Sequence, residues 1–243
     1  MEEIAMPTGV MVNSACVLLG GIAGTFIGKK LDKTLCERIT LIFGVCSMTL
    51  GINSVVKMQQ LPAVILAVIL GTIAGECLKV EDRIAALAAK VEKPVSRLVK
   101  NQTDRDREKF MSEFISIVVL FCASGTGIFG ALHSGITGDH TILFSKAILD
   151  FFTAAIFAAG LGIMVALVAV PQFLVMIILF FSAVMIMPLT NEIMLADFTA
   201  CGGVLMLATG FRISGIKWFP IANMIPAMIL VMPFSWIWMT FIA

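Results

Sequence analysis

Long apolar stretches alternate with short polar ones along the whole chain. A helix that crosses a membrane needs about 20 mostly apolar residues. Eight stretches approach that pattern: Gly9–Gly28, Glu37–Val56, Leu61–Leu78, Phe110–Leu132, Thr141–Val170, Gln172–Met187, Ala196–Ile213 and Trp218–Phe241. The fifth and sixth run almost together. Pro171 is expected to part them, because proline disfavours helical geometry in the residue before it. One sizeable polar segment interrupts the series, Lys79–Lys109. Within it Ile84, Leu87, Val91, Val95 and Leu98 recur at helical spacing, and Pro94 breaks the run. This predicts a kinked amphipathic helix on the cytoplasmic membrane surface. The sequence "TDRD", Thr103–Asp106, fits a capping box that starts the fourth helix. The expected organisation is residues 1–78 with helices one to three, residues 79–109 as a cytoplasmic segment, and residues 110–243 with helices four to eight.

Composition agrees with this reading. The chain is 59% hydrophobic and 14% charged, against about 45–50% and about 25% in an ordinary soluble domain. An all-α integral membrane protein is the fold class. The acidic N-terminus "MEEIAMPTGV" lacks the basic region of a signal peptide, so the first helix is expected to be retained. The net charge of +1 names no partner, and no nucleic-acid partner is expected. The placement of charge is more informative. With eight helices, all of the 17 basic residues except Lys57 and Lys146 fall on one side. By the positive-inside rule that side is the cytoplasm, and both termini face outward. Six cysteines, mostly in apolar runs and never as Cys-x-x-Cys, read as small buried apolar residues.

Small residues and prolines add detail. Gly20, Gly24 and Gly28 share one face of the first helix, a spacing that lets helices approach closely in lipid. The fourth stretch carries Gly125, Gly127, Gly130, Gly135 and Gly138, a density that weakens a helix. An unwound or re-entrant segment lining a cavity is expected there. Pro220, Pro226 and Pro233 surround Asn223 in the last stretch and predict helix breaks, which in membrane proteins often mark solute sites. "GVCSMTLGI", Gly44–Ile52, and "GVLMLATGF", Gly203–Phe211, share a Gly-Val start and a second glycine seven residues on. Helices two and seven cross in opposite directions in this topology. Helices one to three and six to eight would then form an inverted repeat, a common transporter architecture.

The chain resembles the bacterial membrane-protein family called domain of unknown function 554, of the YqgA/YdfK-like type. The resemblance covers essentially the whole chain. It is carried by Ser124–Gly162, where a Gly-rich turn, Gly-Asp and Lys-x-x-x-Asp follow in order, by "GTIAGE" at Gly71–Glu76, by "ANMIPAM" at Ala222–Met228, and by the first helix with Asn13. "ASGTG", Ala123–Gly127, is richer in glycine than the family pattern. The resemblance implies an inner-membrane protein of transporter type and supplies no substrate.

The chemistry points to the fifth helix. Lys146 and Asp150, four apart, share a helix face. Asp150 lies about nine residues into the apolar run, or about 13 Å along the axis. An ionisable group there should face a wet cavity or the bundle interior. Lysine can snorkel outward, whereas aspartate is too short to do so. Asp150 must therefore be paired, protonated or bound to a cation, with H+ and Na+ as the coupling ions it could serve. The alternative is an ion pair that only fixes helix register. Asn13, Asn223, Ser124, Thr126, Gly125 and Gly127 are the further candidates for a solute or ion site, with Glu76 as a cytoplasmic gate. Asn53 and Thr153 are hydrogen-bonding groups in apolar runs of the same kind. Glu113 suits the start of the fourth helix. His133 and His140 are expected in the outer loop between helices four and five, too sparse for a metal site. No catalytic constellation is visible, and an enzyme is not expected. No cofactor beyond a coupling ion is expected. The leading reading is a small secondary transporter or channel-like carrier. The rival is a membrane sensor or scaffold acting through residues 79–109. At 243 residues the chain is short for a carrier, so a homodimer that completes the fold is expected on size.

Overall fold

The computed structural model describes residues 6–27, 32–84, 86, 114, 117–118, 120–122 and 124–242. Among these residues the structure is helical, with no strand. The helices are α1 (Thr8–Ile27), α2 (Lys33–Val55), α3 (Leu61–Leu78), α4 (Gly125–Thr137), α5 (Thr141–Leu161), α6 (Ala169–Ile186), α7 (Glu192–Ile213), the single turn α8 (Ile221–Met224) and α9 (Pro226–Phe241). Six helical runs among the described residues are long and apolar enough to cross a membrane. The fifth and sixth expected spans are continuous in sequence. Thr141–Ala183 forms one apolar run of 43 residues, and residues 110–113, 115–116, 119 and 123 of the fourth stretch lie outside the described residues. So do the "TDRD" capping box, Glu113 and the Lys79–Lys109 segment beyond 84, except Ala86.

The 43-residue run would span about 65 Å as a straight helix, twice the hydrocarbon thickness. It doubles back instead. The turn is at Gly162, whose φ of 65° and ψ of −154° are open essentially to glycine alone. Residues Gly162–Val168 return as a tighter 3-10 helix. The return brings Gln172 of α6 back to the level of Asp150 of α5. Pro171, expected to be the break, sits in the first turn of α6, where its missing N–H is not needed.

The start of α7 also differs from expectation. It begins at Glu192 rather than Ala196, because the Asn191 side chain caps it by accepting from Met194 N at 2.9 Å. Buried Asp197 is satisfied by accepting from Gln59 N and Gln60 N, both 2.8 Å, and from Ser235 Oγ, 2.6 Å. It thereby holds the amino end of α3 against α7 and α9. Two of the three prolines of the last stretch mark helix ends: Pro220 precedes α8 and Pro226 opens α9. Ile225, between α8 and α9, keeps helical angles (φ −55°, ψ −40°), and Pro233 is carried within α9.

Two halves of the chain meet as reciprocal copies. Helices α2 and α7 pack antiparallel. A β-carbon at Gly51 would lie 2.8 Å from Gly203 O, and one at Gly203 would lie 2.7 Å from Gly51 O. Gly44 and Gly210 repeat this, at 2.8 Å and 2.7 Å. These backbones touch, and only glycine permits the approach. The copies are related by one constant offset. Ser47 Oγ donates to Met206 O, 159 residues away, and Gln172 Nε2 donates to Asn13 Oδ1, again 159 residues away. The same offset of 159 carries Ile27 to Ile186, the last residues of α1 and α6, and Lys33 to Glu192, the first of α2 and α7. Residues bonded to their own counterparts thus lie where the two halves touch.

Around this centre α1 packs along α5, α3 packs on α9, and α4 packs on α6. Helix α7 is the most enclosed span, with 72% of its apolar window buried. Elsewhere large apolar side chains point outward, among them Phe26, Ile52, Ile69, Ile148, Ile178 and Ile229. That surface suits acyl chains. The outward faces are apolar too, so an apolar run does not imply an interior position. Of the free cysteines only Cys201 is buried, and Cys46 and Cys77 are exposed.

Candidate functional site

Helix α5 delivers two charges into the interior. Lys146 and Asp150 are 3% and 7% exposed, so neither reaches water along the protein surface. Lys146 Nζ donates to Asp150 Oδ2 at 2.5 Å. The same oxygen accepts from Asn13 Nδ2 of α1 and from Gln172 Nε2 of α6, both at 2.9 Å. Gln172 and Asn13 are the bonded counterparts described above, so the Asp150 carboxylate sits where the two halves meet. Charge-assisted bonds of this kind are the strong ones, and a buried charge requires such company. The aliphatic chain of Lys146 lies against Gly127, and its ammonium stands 5.8 Å from the Phe121 ring centroid. A larger residue than glycine at 127 would meet Lys146 Cε at 2.8 Å.

A cavity of about 740 Å³ opens in front of this pair. Its wall along α5 runs from Lys146 to Leu161, about 22 Å at the α-helical rise. Apolar side chains make most of the lining, including Phe43, Ile117, Leu149, Ile156 and Phe157. Hydroxyls line it too. Ser47 and Thr126 both line it and lie 3.3 Å apart, oxygen to oxygen. At the far end Arg212, closing α7, donates from Nη1 to Glu81 Oε1 at 2.9 Å and to Phe219 O at 3.3 Å. The guanidinium stacks 3.5 Å from the Trp218 ring centroid. The cavity thus carries a buried Lys–Asp pair at one end and an Arg–Glu pair at the other.

The candidates named from sequence distribute unevenly. Asn13 contacts Asp150 from behind, and Ser124 and Thr126 line the cavity. Gly125 opens α4, and Gly127 gives Lys146 its passage. The Gly-rich stretch is not unwound. α4 is a continuous helix whose Gly127, Gly130 and Gly135 seat Lys146, Leu143 and the Phe180 backbone. The discontinuity lies just before it, at Ser124, which is extended (φ −65°, ψ 129°). Because α4 runs to Thr137, His133 is inside it and buried against Phe129 rather than in a loop. His140 precedes α5 and shares a 2.5 Å hydrogen bond between Nδ1 and Ser134 Oγ. Asn223 is not with Asp150. Its Oδ1 accepts from Glu81 N at 2.7 Å and fixes the chain that leaves α3. Glu76 is exposed and outside the cavity lining. The acid at that end of the cavity is Glu81. Gln172, Glu81, Arg212 and Trp218 were not singled out from sequence. In the sequence Gln172 and Trp218 only open apolar stretches, and Glu81 and Arg212 only sit near the ends of others.

A family model described as "Protein of unknown function (DUF554)" matches residues 8–236. The chain belongs to this family. It is similar to the "Uncharacterized protein YqgA" of Escherichia coli (strain K12), with 44% identity over 98% of this chain and 100% of that protein. It is also similar to the "Uncharacterized membrane protein YdfK" of Bacillus subtilis (strain 168), with 25% identity over 91% of this chain and 93% of that protein. No solved structure matches the chain. The family region spans Asn13, Lys146, Asp150 and Gln172, and also Glu81, Arg212 and Trp218.

Proposed function

We propose that this DUF554 protein is a small secondary transporter or channel-like carrier of the bacterial inner membrane. One observation carries the reading: a cavity inside an apolar helical bundle reaches a buried Lys–Asp pair where two inverted halves of the chain meet. Solute sites at the interface of inverted repeats recur among secondary transporters. An intramembrane ion pair retained at a desolvation cost favours the same reading. The Arg212–Glu81 pair, stacked on Trp218, is placed to act as a gate at the second end. A proton or Na+ is the coupling ion that Asp150 would accept. By the positive-inside rule the basic loops favour an orientation with both termini outside. A homodimer in the membrane fits the short chain.

The test is solute-driven current in proteoliposomes holding the full chain, during rapid exchange of Na+, H+ and a panel of small solutes. The expected result is a current in the native protein that disappears in Asp150→Asn, with the variant still monodisperse and helical. Equal currents in the two proteins would remove Asp150 from the path and refute this account. Tracer uptake on the same vesicles covers electroneutral exchange, and absence of both signals across the panel would also refute it.

A further inference from the structure

Among the described residues the cavity lining has a formal net charge of zero, arranged as two dipoles. Its formally charged lining residues are Lys146, Asp150, Arg212 and Glu81, and they form two opposite-sign pairs. A solute that brings a net charge into such a site must shed its hydration with no opposite charge left to meet it. That desolvation is not repaid. A solute carrying both signs side by side can align with a pair and keep the total at zero.

The Lys146–Asp150 pair is built to be met in that way. Among the described residues every hydrogen bond to the Asp150 carboxylate ends on Oδ2. Oδ1 takes none, and Asp150 lines the cavity, so one oxygen is anchored while the other can accept from a ligand. Lys146 Nζ gives one of its three N–H groups to Asp150. The remaining two have no hydrogen-bond partner among the described residues, and Lys146 lines the same cavity. An acceptor and a pair of donors are thereby presented next to each other. The wall beyond them is hydrocarbon, from Leu149, Ile156, Phe157 and Phe43.

We propose that the cavity binds a small net-neutral zwitterion with an apolar side chain, its ammonium on Asp150 Oδ1 and its carboxylate on Lys146 Nζ. An α-amino acid with a hydrocarbon side chain is the chemical class. The assignment rests on the carrier reading above and names its substrate.

The test uses three probes that share one carbon skeleton: L-leucine, isopentylamine, which lacks the carboxylate, and 4-methylpentanoate, which lacks the ammonium. Binding to the purified full chain in detergent micelles is measured by calorimetry and by ligand-dependent thermal stabilisation. The native protein is expected to bind leucine at least about tenfold more tightly than either analogue. Neutralising one partner should swing the preference in opposite directions. Asp150→Asn leaves a net positive pair and should favour 4-methylpentanoate. Lys146→Gln leaves a net negative pair and should favour isopentylamine. Misfolding lowers all three affinities together and cannot produce opposed swings. The double variant, Lys146→Gln with Asp150→Asn, restores neutrality and should show neither swing. Leucine binding no tighter than the analogues, or both single variants shifting the same way, would overturn the assignment. Current for another solute would then leave the carrier reading standing. Leucine binding without flux would sink the carrier reading and keep the ligand class.

Discussion

Replacing Gln172 with leucine tests whether the contact between the two halves is energetically coupled. The substitution keeps the side-chain bulk and removes two bonds, Nε2 to Asn13 Oδ1 at 2.8 Å and Nε2 to Asp150 Oδ2 at 2.9 Å. Hydrogen bonds between helices in lipid average about 0.6 kcal/mol and reach about 1.7 kcal/mol. Taking the upper value for the carboxylate bond and the mean for the amide bond gives about 2 kcal/mol. The change also strands Asn13 Oδ1, which is fully buried, and a stranded buried acceptor costs about 1–3 kcal/mol more. Gln172 Oε1 is itself buried without a hydrogen-bond partner, so its removal returns part of that sum. Asn13→Leu loses the matching pair of bonds and has no such return. It should be the more damaging single change. In the double variant neither amide is stranded, so its loss should fall short of the sum of the singles by about 1–3 kcal/mol. Equilibrium unfolding by SDS in mixed micelles, followed by far-UV circular dichroism, reads all three values. Single losses below about 0.5 kcal/mol, or additivity within that margin, would refute the idea that these residues form one cross-half network.

Two other outcomes follow from the geometry. Gly51→Ala and Gly203→Ala each push a β-carbon to within 2.8 Å and 2.7 Å of the facing carbonyl, and each should cost about 1–3 kcal/mol in the same assay. Gly44→Ala and Gly210→Ala should behave alike, and a neutral result at any of the four would contradict the close crossing. Outside the membrane spans, Asp139 Oδ1 accepts from Thr141 Oγ1 at 2.6 Å and Thr141 N at 2.9 Å, and these bonds hold its carboxyl below the usual range. A lowered folded-state value means the contribution is present above the ordinary carboxylate pKa of about 3.9 and lost as pH falls through the folded value. The stability gap between native protein and Asp139→Ala should therefore be flat from about pH 5 to 8 and close in more acidic buffer. A gap that widens with acid would reverse the assignment.

The parts of this architecture legible in sequence are those written in local contrast. Lys146 and Asp150 stood out because charge inside an apolar run is expensive wherever the run folds. The paired Gly-Val starts at Gly44 and Gly203 hinted at two halves, and their backbones meet those of Gly210 and Gly51. What escaped notice needed the third dimension. Gln172 is ordinary beside Pro171 until the turn at Gly162 carries it back to Asp150. Arg212 and Glu81 sit at helix ends, where charge needs no explanation, and only their convergence on one cavity gives them meaning. The Gly-rich run misled because glycine serves two purposes. It loosens a helix by propensity, and it admits neighbours by having no side chain. In α4 the second purpose won.

The constant offset between the halves bears on how the chain is made. Helices α2 and α7 run antiparallel, so whichever side receives the first half, the second must be threaded in the opposite sense. The two halves differ in charge at positions matched by that offset. Lys29 and Lys30 correspond to Pro188 and Leu189, Lys33 to Glu192, and Arg38 to Asp197. Where one copy is basic, the other is stripped of positive charge or carries its reverse. Positive residues retain a loop on the cytoplasmic face during insertion. The two halves are thus matched in backbone and unmatched in charge, and at Asp197 the unmatched residue is the one that ties the start of α3 to α7 and α9.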